Sequence, residues 1–282
     1  MKTIFTFAAA LLFCVSSASA QDWARQSQEK SPRHQEWVQI KHDNRTVHAF
    51  VVYPETKGKA TAVVLIHEIF GLSDWARSMG DQLAAAGYIA IVPDMLSGFG
   101  PNGGKSSDFP NEGAAREANS KLDQDVVVAD LNATADYVKK LPASNGKIVV
   151  AGFCWGGTQS FNFATKRKDL SAAFVFYGGP PKDFSAITAP VYGFYAGDDG
   201  RIGETIPGAI EGMKQAGKKY EPVTYDGAGH GFMRAGEDPA NEAAIGKPGD
   251  DEKSKKAHDR AVANKKARAE AWDRWMKLMK GI

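Results

Sequence analysis

The residues best suited to chemistry are in one short stretch, Gly152-Phe153-Cys154-Trp155-Gly156-Gly157. It follows an apolar run, Lys147-Ile148-Val149-Val150-Ala151, that reads as a buried strand, and precedes a helical stretch, Thr158 to Lys168. Strand, sharp turn and helix with a thiol at the apex form the cysteine version of the G-x-S-x-G nucleophile elbow. Gly152 and Gly156 let strand and helix approach where a Cβ would clash. The free N–H groups and positive dipole end of the helix are expected to favour a thiolate and, later, an oxyanion. The alternative is a Cys154 that merely packs as a small apolar side chain in a Gly-rich turn.

A thiol of ordinary pKa needs a base to become a nucleophile at neutral pH. His230 is the best candidate, because Gly227-Ala228-Gly229-His230-Gly231-Phe232 is a Gly-rich turn after the last expected strand. His34, His42 and His48 lie in the N-terminal region, and His258 is on the C-terminal helix. His67 adjoins Glu68, but position 71, where H-E-x-x-H needs a histidine, is glycine. An acid should orient the imidazole, and Asp199 follows the penultimate strand, with Asp198 as its direct competitor. No metal-ligand cluster and no phosphate-binding loop is evident, so the sequence calls for neither metal nor cofactor.

The elements that must position these groups follow from hydrophobic periodicity. Residues 36–41 and 46–53 read as a hairpin around His42-Asp43-Asn44-Arg45. Further strands are expected at 62–67, 88–92, 147–151, 172–177, 191–196 and 221–225, which makes eight. Helices are expected from Ser73-Asp74 to about Ala86, at 122–141, 158–168, 207–216 and 255–280. In the last of these, Ala257, Ala261, Ala271, Trp272, Trp275 and Met279 mark the apolar face. Residues 97–113 and 236–251 are polar loops, the first long enough to be a lid or rim over a site. Strands alternating with helices from residue 62 imply an α/β fold with a mostly parallel sheet and helices on both faces. Glu68, Cys154, Asp199 and His230 all fall at carboxyl ends of strands, where such sheets carry their functional groups.

The chain has 282 residues, 43% of them hydrophobic, which suffices for one sizeable core. Its 35 basic and 33 acidic residues give a net charge of +2, which points to neither nucleic acid nor a membrane surface as partner. Residues 1–20 read as a secretory leader: Lys2, an apolar Ile4 to Val15, and Ser16-Ser17-Ala18-Ser19-Ala20 at the cleavage site. Cleavage after Ala20 and export to the periplasm or medium are expected; the alternative is a retained N-terminal anchor. Cys14 is preceded by Phe13, which does not suit a lipid-attachment site. Cleavage would leave Cys154 as the only thiol, unable to form an internal disulfide. Residues 21–35 read as a flexible polar segment and 36–282 as one domain.

Taken together, the chain resembles the dienelactone hydrolase family of α/β-hydrolases, from about residue 36 to 280. The resemblance rests on His67-Glu68-Ile69-Phe70-Gly71, Pro93-Asp94, Gly152-Phe153-Cys154-Trp155-Gly156-Gly157, Gly197-Asp198-Asp199 and His230-Gly231-Phe232. It implies a Cys154–His230–Asp199 triad, in the nucleophile–acid–histidine order of that fold. It further implies that Glu68 helps switch the thiol between neutral and ionised states, and that the N–H groups of Ile69 and Trp155 form an oxyanion hole. Arg234 matches the position that holds a substrate carboxylate in the family. The family's second such arginine has no counterpart in Met95-Leu96-Ser97-Gly98-Phe99-Gly100. The activity implied is hydrolysis of a small ester or lactone through a thioester. The rival reading is a catalytically silent scaffold of the same fold used for binding. A thiol-redox role lacks a resolving cysteine.

Overall fold

The computed structural model describes residues 15–235, 245–246 and 248–282, with side chains from residue 22 onward. The expected leader up to residue 14, with Cys14, and residues 236–244 of the second polar loop lie outside it.

The near-continuous apolar runs all form strands. The eight are β1 (Gln35–His42), β2 (Arg45–Val52), β3 (Ala60–Ile66), β4 (Ile89–Pro93), β5 (Ser144–Phe153), β6 (Leu170–Phe176), β7 (Val191–Ala196) and β8 (Tyr220–Tyr225). They build one sheet in the order β1-β2-β4-β3-β5-β6-β7-β8. The first two are antiparallel to their neighbours, and the rest run parallel. Every residue of β3 and β4 is buried, as expected of central strands covered on both faces.

Alternation along β3 sends Ala62, Val64 and Ile66 to one core and Val63 and Leu65 to the other. The first core is closed by α4 (Gln124–Lys139), α5 (Trp155–Lys166) and α7 (Ile206–Gln215). The second is closed by α2 (Asp74–Ala85) and by the C-terminal helix α8 (Glu252–Met279). The Ser73 side chain caps α2, accepting from the Ala76 N–H as its position before Asp74 predicts. This is the eight-stranded, mostly parallel α/β architecture expected from the sequence.

Three local expectations need correction. Residues 21–35 are not a loose segment: helix α1 (Val15–Glu29) packs along α2, with Ala24 buried. Arg33 and Ser31 then grip the buried Asp81 at 2.6 Å each. The 97–113 loop holds two short 3₁₀ turns and leads into α3 (Glu112–Ser120), a helix that went unpredicted. On α8, Ala257 is exposed and Ala261 only half-buried, so burial begins at Ala267.

Candidate active site

Five strand ends and the loops after them build the site. At the end of β5, Cys154 has φ 56° and ψ −117°, a conformation that costs an L-residue energy. The two glycines make it possible. A Cβ on Gly152 would overlap the Gly156 carbonyl and sit 3.0 Å from the Gly157 nitrogen; one on Gly156 would lie 2.8 Å from the Ile66 carbonyl carbon. The turn is tied down by Cys154 N–H to Phe176 O at 3.0 Å and Thr158 N–H to Cys154 O at 3.2 Å. The backbone N–H groups of Trp155 and Ile69, the pair expected at an oxyanion hole, act on the half-buried sulfur in the direction that favours its anion.

The ionisation of the thiol departs from expectation. Burial pushes its pKa up, the Glu68 carboxylate pushes it further, and the Trp155 amide, Arg234 and the Ile69 amide only partly oppose them. Together these effects favour the neutral thiol. The helix dipole is outweighed here by desolvation and a neighbouring anion.

Glu68 is buried and held from two sides. Tyr177 Oη donates to Oε1 at 3.3 Å, and Arg234 Nε lies 3.2 Å from Oε2. Glu68 in turn raises the pKa of the Arg234 guanidinium, chiefly through its charge. Tyr177 escaped sequence reasoning. It follows β6 with φ 40°, and its ring meets that of His230 edge-on at 5.0 Å. The signal was its position at a strand's carboxyl end before Gly178-Gly179.

At the ends of β7 and β8 the two acidic candidates separate. His230 Nδ1 lies 2.5 Å from Asp199 Oδ2, whereas Asp198 Oδ2 takes Arg260 Nη2 at 2.9 Å. Asp199 also accepts from Ile202 N–H at 3.5 Å, so it caps the short helix α6 (Gly200–Gly203) as well. A carboxylate on Nδ1 fixes that nitrogen as the protonated one and leaves Nε2 free to accept a proton.

His67 has a structural part. It is fully buried and its pKa is lowered by desolvation; Nδ1 donates to Glu68 O at 2.7 Å and Nε2 accepts from Met95 N–H at 3.2 Å. Its ring stacks on Trp155 at 5.7 Å. Asp94 supports the same loops, accepting from Ser106 Oγ at 2.6 Å and Leu96 N–H at 3.0 Å, while Ser106 Oγ accepts from Leu72 N–H at 2.9 Å. Beside this loop, Phe70, Leu72, Phe109, Asn111 and Glu112 line a cavity of about 280 Å³. The Arg234 guanidinium lies over the Phe70 ring, 5.8 Å from its centre. Among the described residues no group of His, Cys, Asp and Glu could hold a metal ion.

The family model described as "Dienelactone hydrolase family" matches residues 47–282. Among curated proteins, carboxymethylenebutenolidase 1 of Cupriavidus pinatubonensis is 29% identical over 194 residues, covering 67% of this chain and 82% of that protein. Among solved structures, a dienelactone hydrolase-like promiscuous phosphotriesterase from metagenomic libraries superposes with TM-score 0.68 at 20% identity, covering 88% and 98% of the two chains. The dienelactone hydrolase of Anabaena variabilis gives TM-score 0.56 at 18% identity, covering 70% and 88%. With that family model matched from β2 to the last residue, and with an α/β-hydrolase sheet beneath it, the chain belongs to the dienelactone hydrolase family.

Proposed function

We propose that the chain is an exported hydrolase of lactones and activated esters, and that Cys154 is its nucleophile. The observation that carries the reading is the Asp199–His230 pair, held at 2.5 Å at the carboxyl edge of the same sheet that carries the strained elbow thiol. In the resting enzyme the thiol keeps its proton. Glu68 is occupied by Tyr177 and Arg234. A substrate carrying an anionic group competes for Arg234 and frees Glu68 to turn toward the sulfur and take its proton. The thiolate then attacks the carbonyl carbon, and the oxyanion is received by the Ile69 and Trp155 N–H groups. Collapse breaks the acyl C–O bond. The leaving group departs as enolate or alkoxide and takes up the proton that Glu68 carries, and a Cys154 thioester remains. Water gives a proton to His230 Nε2 as it attacks the thioester, and the second tetrahedral intermediate releases the acid and expels the cysteine thiolate, which takes the proton back from His230. A thiolate suits enol lactones and activated esters better than amides, whose leaving groups are poorer. Cys154→Ala should abolish turnover of an activated aryl ester; a variant that kept most of its activity would end this mechanism.

Export rests on the sequence of residues 1–20. A mature N-terminus at Gln21, read by mass spectrometry from the periplasm or medium of the expressing cell, is the expected result. An intact leader on protein retained in the cell would contradict it.

A further inference from the structure

Helix α8 has two unlike halves. Its buried residues, Ala267, Arg268, Ala271, Trp275 and Met279, all lie in the second. Residues 252–266 bury no side chain, so core packing does not explain why this part of the helix lies where it does. Among the described residues, His258 Nδ1 in this half meets the Ile245 carbonyl, and three further residues reach the turn that carries His230 or the strand end beside it. Asn264 Oδ1 accepts from the Gly229 N–H at 2.7 Å. A Cβ on Gly227 would come 3.3 Å from the Ala263 methyl, and one on Gly229 3.3 Å from Arg260 Cδ, so the turn lies directly on this helix face. Arg260 reaches on to Asp198 at 2.9 Å.

That turn needs an external hold. Gly227, Gly229 and Gly231 fall within five residues, and Gly227 and Gly231 have φ of 70° and 81°. Glycine gives up the most conformational freedom on ordering, so such a turn does not order itself cheaply. Its other backbone ties are at Ala228, which donates to Tyr225 O at 3.3 Å and accepts from Asp198 N–H at 2.9 Å, and at Gly231, whose carbonyl accepts from Arg234 N–H at 2.9 Å. None of these holds Gly229, the residue before His230.

We propose that Asn264 is a positioning residue. By holding the Gly229 N–H next to His230, it sets the imidazole against Asp199, and the front half of α8 serves catalysis rather than stability. The inference rests on His230 acting as the base. The test compares Asn264→Ala, Asn264→Asp and His230→Ala on the activated aryl ester. Misplacement of a catalytic group by a fraction of an ångström should lower kcat of Asn264→Ala about ten- to hundredfold with KM within about twofold. Loss of one half-exposed hydrogen bond should leave Tm within about 2 °C. Asn264→Asp keeps an acceptor oxygen in the same place and should retain kcat within about threefold. An Asn264→Ala enzyme with full kcat, one that fails to fold, or equal losses in both Asn264 variants would overturn the inference. An active His230→Ala would instead remove the base on which it rests; an inactive His230→Ala beside a fully active Asn264→Ala would sink the positioning role alone.

Discussion

Gly152→Ala tests whether the elbow is a steric device. The added methyl overlaps the Gly156 carbonyl and presses on the Gly157 nitrogen at 3.0 Å. Both belong to the first turn of α5, and Gly152 sits in β5 between Ile66 of β3 and Val175 of β6. No rotatable side chain can yield, so strand or helix must move. Overpacking in cores where side chains can adjust costs about 1–3 kcal/mol. With backbone on both sides the cost belongs at or above the upper end, about 3 kcal/mol. For a chain of this size 1 kcal/mol moves Tm by about 2 °C, so a fall of at least about 6 °C is expected. The displacement also carries Cys154 off its amide pair, so kcat/KM on an aryl ester should fall more than about a hundredfold. Gly208→Ala is the control. Gly208 lies inside α7 with nothing within 4 Å of a new Cβ, so the same chemical change should stabilise by about 0.5–1 kcal/mol. Scanning calorimetry and ester kinetics on the two variants suffice. A Gly152→Ala protein with parental Tm and parental kcat/KM would refute the steric account of the motif.

Glu68→Gln removes the anion beside a thiol already raised by burial, so alkylation of Cys154 by iodoacetamide should be faster than in the parent at pH 7, with the rate–pH curve moved to lower pH. Arg234→Gln should move that curve the other way, and a common direction for both would contradict the charge arrangement. Asp199→Asn should lower kcat by roughly two to four orders of magnitude with little change in Tm, since it removes the acceptor that fixes the His230 tautomer. Asp130 is fully buried, with His42 at 2.7 Å and a two-pronged Arg45 at 2.8 and 2.9 Å. Asp130→Ala should cost about 2–3 kcal/mol in urea unfolding, short of a fully enclosed pair because Arg45 can turn to water; an unchanged midpoint would show the cluster to be idle.

The sheet was legible because β3, β4 and β5 are nearly unbroken apolar runs, and a strand covered on both faces has no other way to read. The elbow was legible because its glycines answer a local steric need. Helix α3 was not: Glu112–Ser120 buries only Ala115 and Asn119, too little to leave a periodic signal. The docking of α1 depends on Ser31 and Arg33 meeting Asp81, some fifty positions away, and periodicity carries no record of such polar pairs. The raised thiol was not legible in the elbow itself, although the family resemblance pointed to Glu68 as its switch. Local reading sees the helix start at Trp155, whereas the thiol is raised first by burial and then by Glu68, 86 residues earlier in the chain. Asp199 was preferred to Asp198 on the sequence, but what turns Asp198 away was not legible: its partner Arg260 lies on a helix that sequence patterning assigns only to packing.

Cys154 and Tyr177 end neighbouring strands, and both carry a backbone angle that glycine would adopt without penalty. Each such residue costs about 1–3 kcal/mol against a total stability of about 5–15 kcal/mol. Cys154→Gly should therefore melt higher than the parent while losing all turnover. Drift in a copy released from selection for activity would be downhill at this position, so glycine at the apex of the turn would be the mark of a lineage that has kept the scaffold and given up the chemistry.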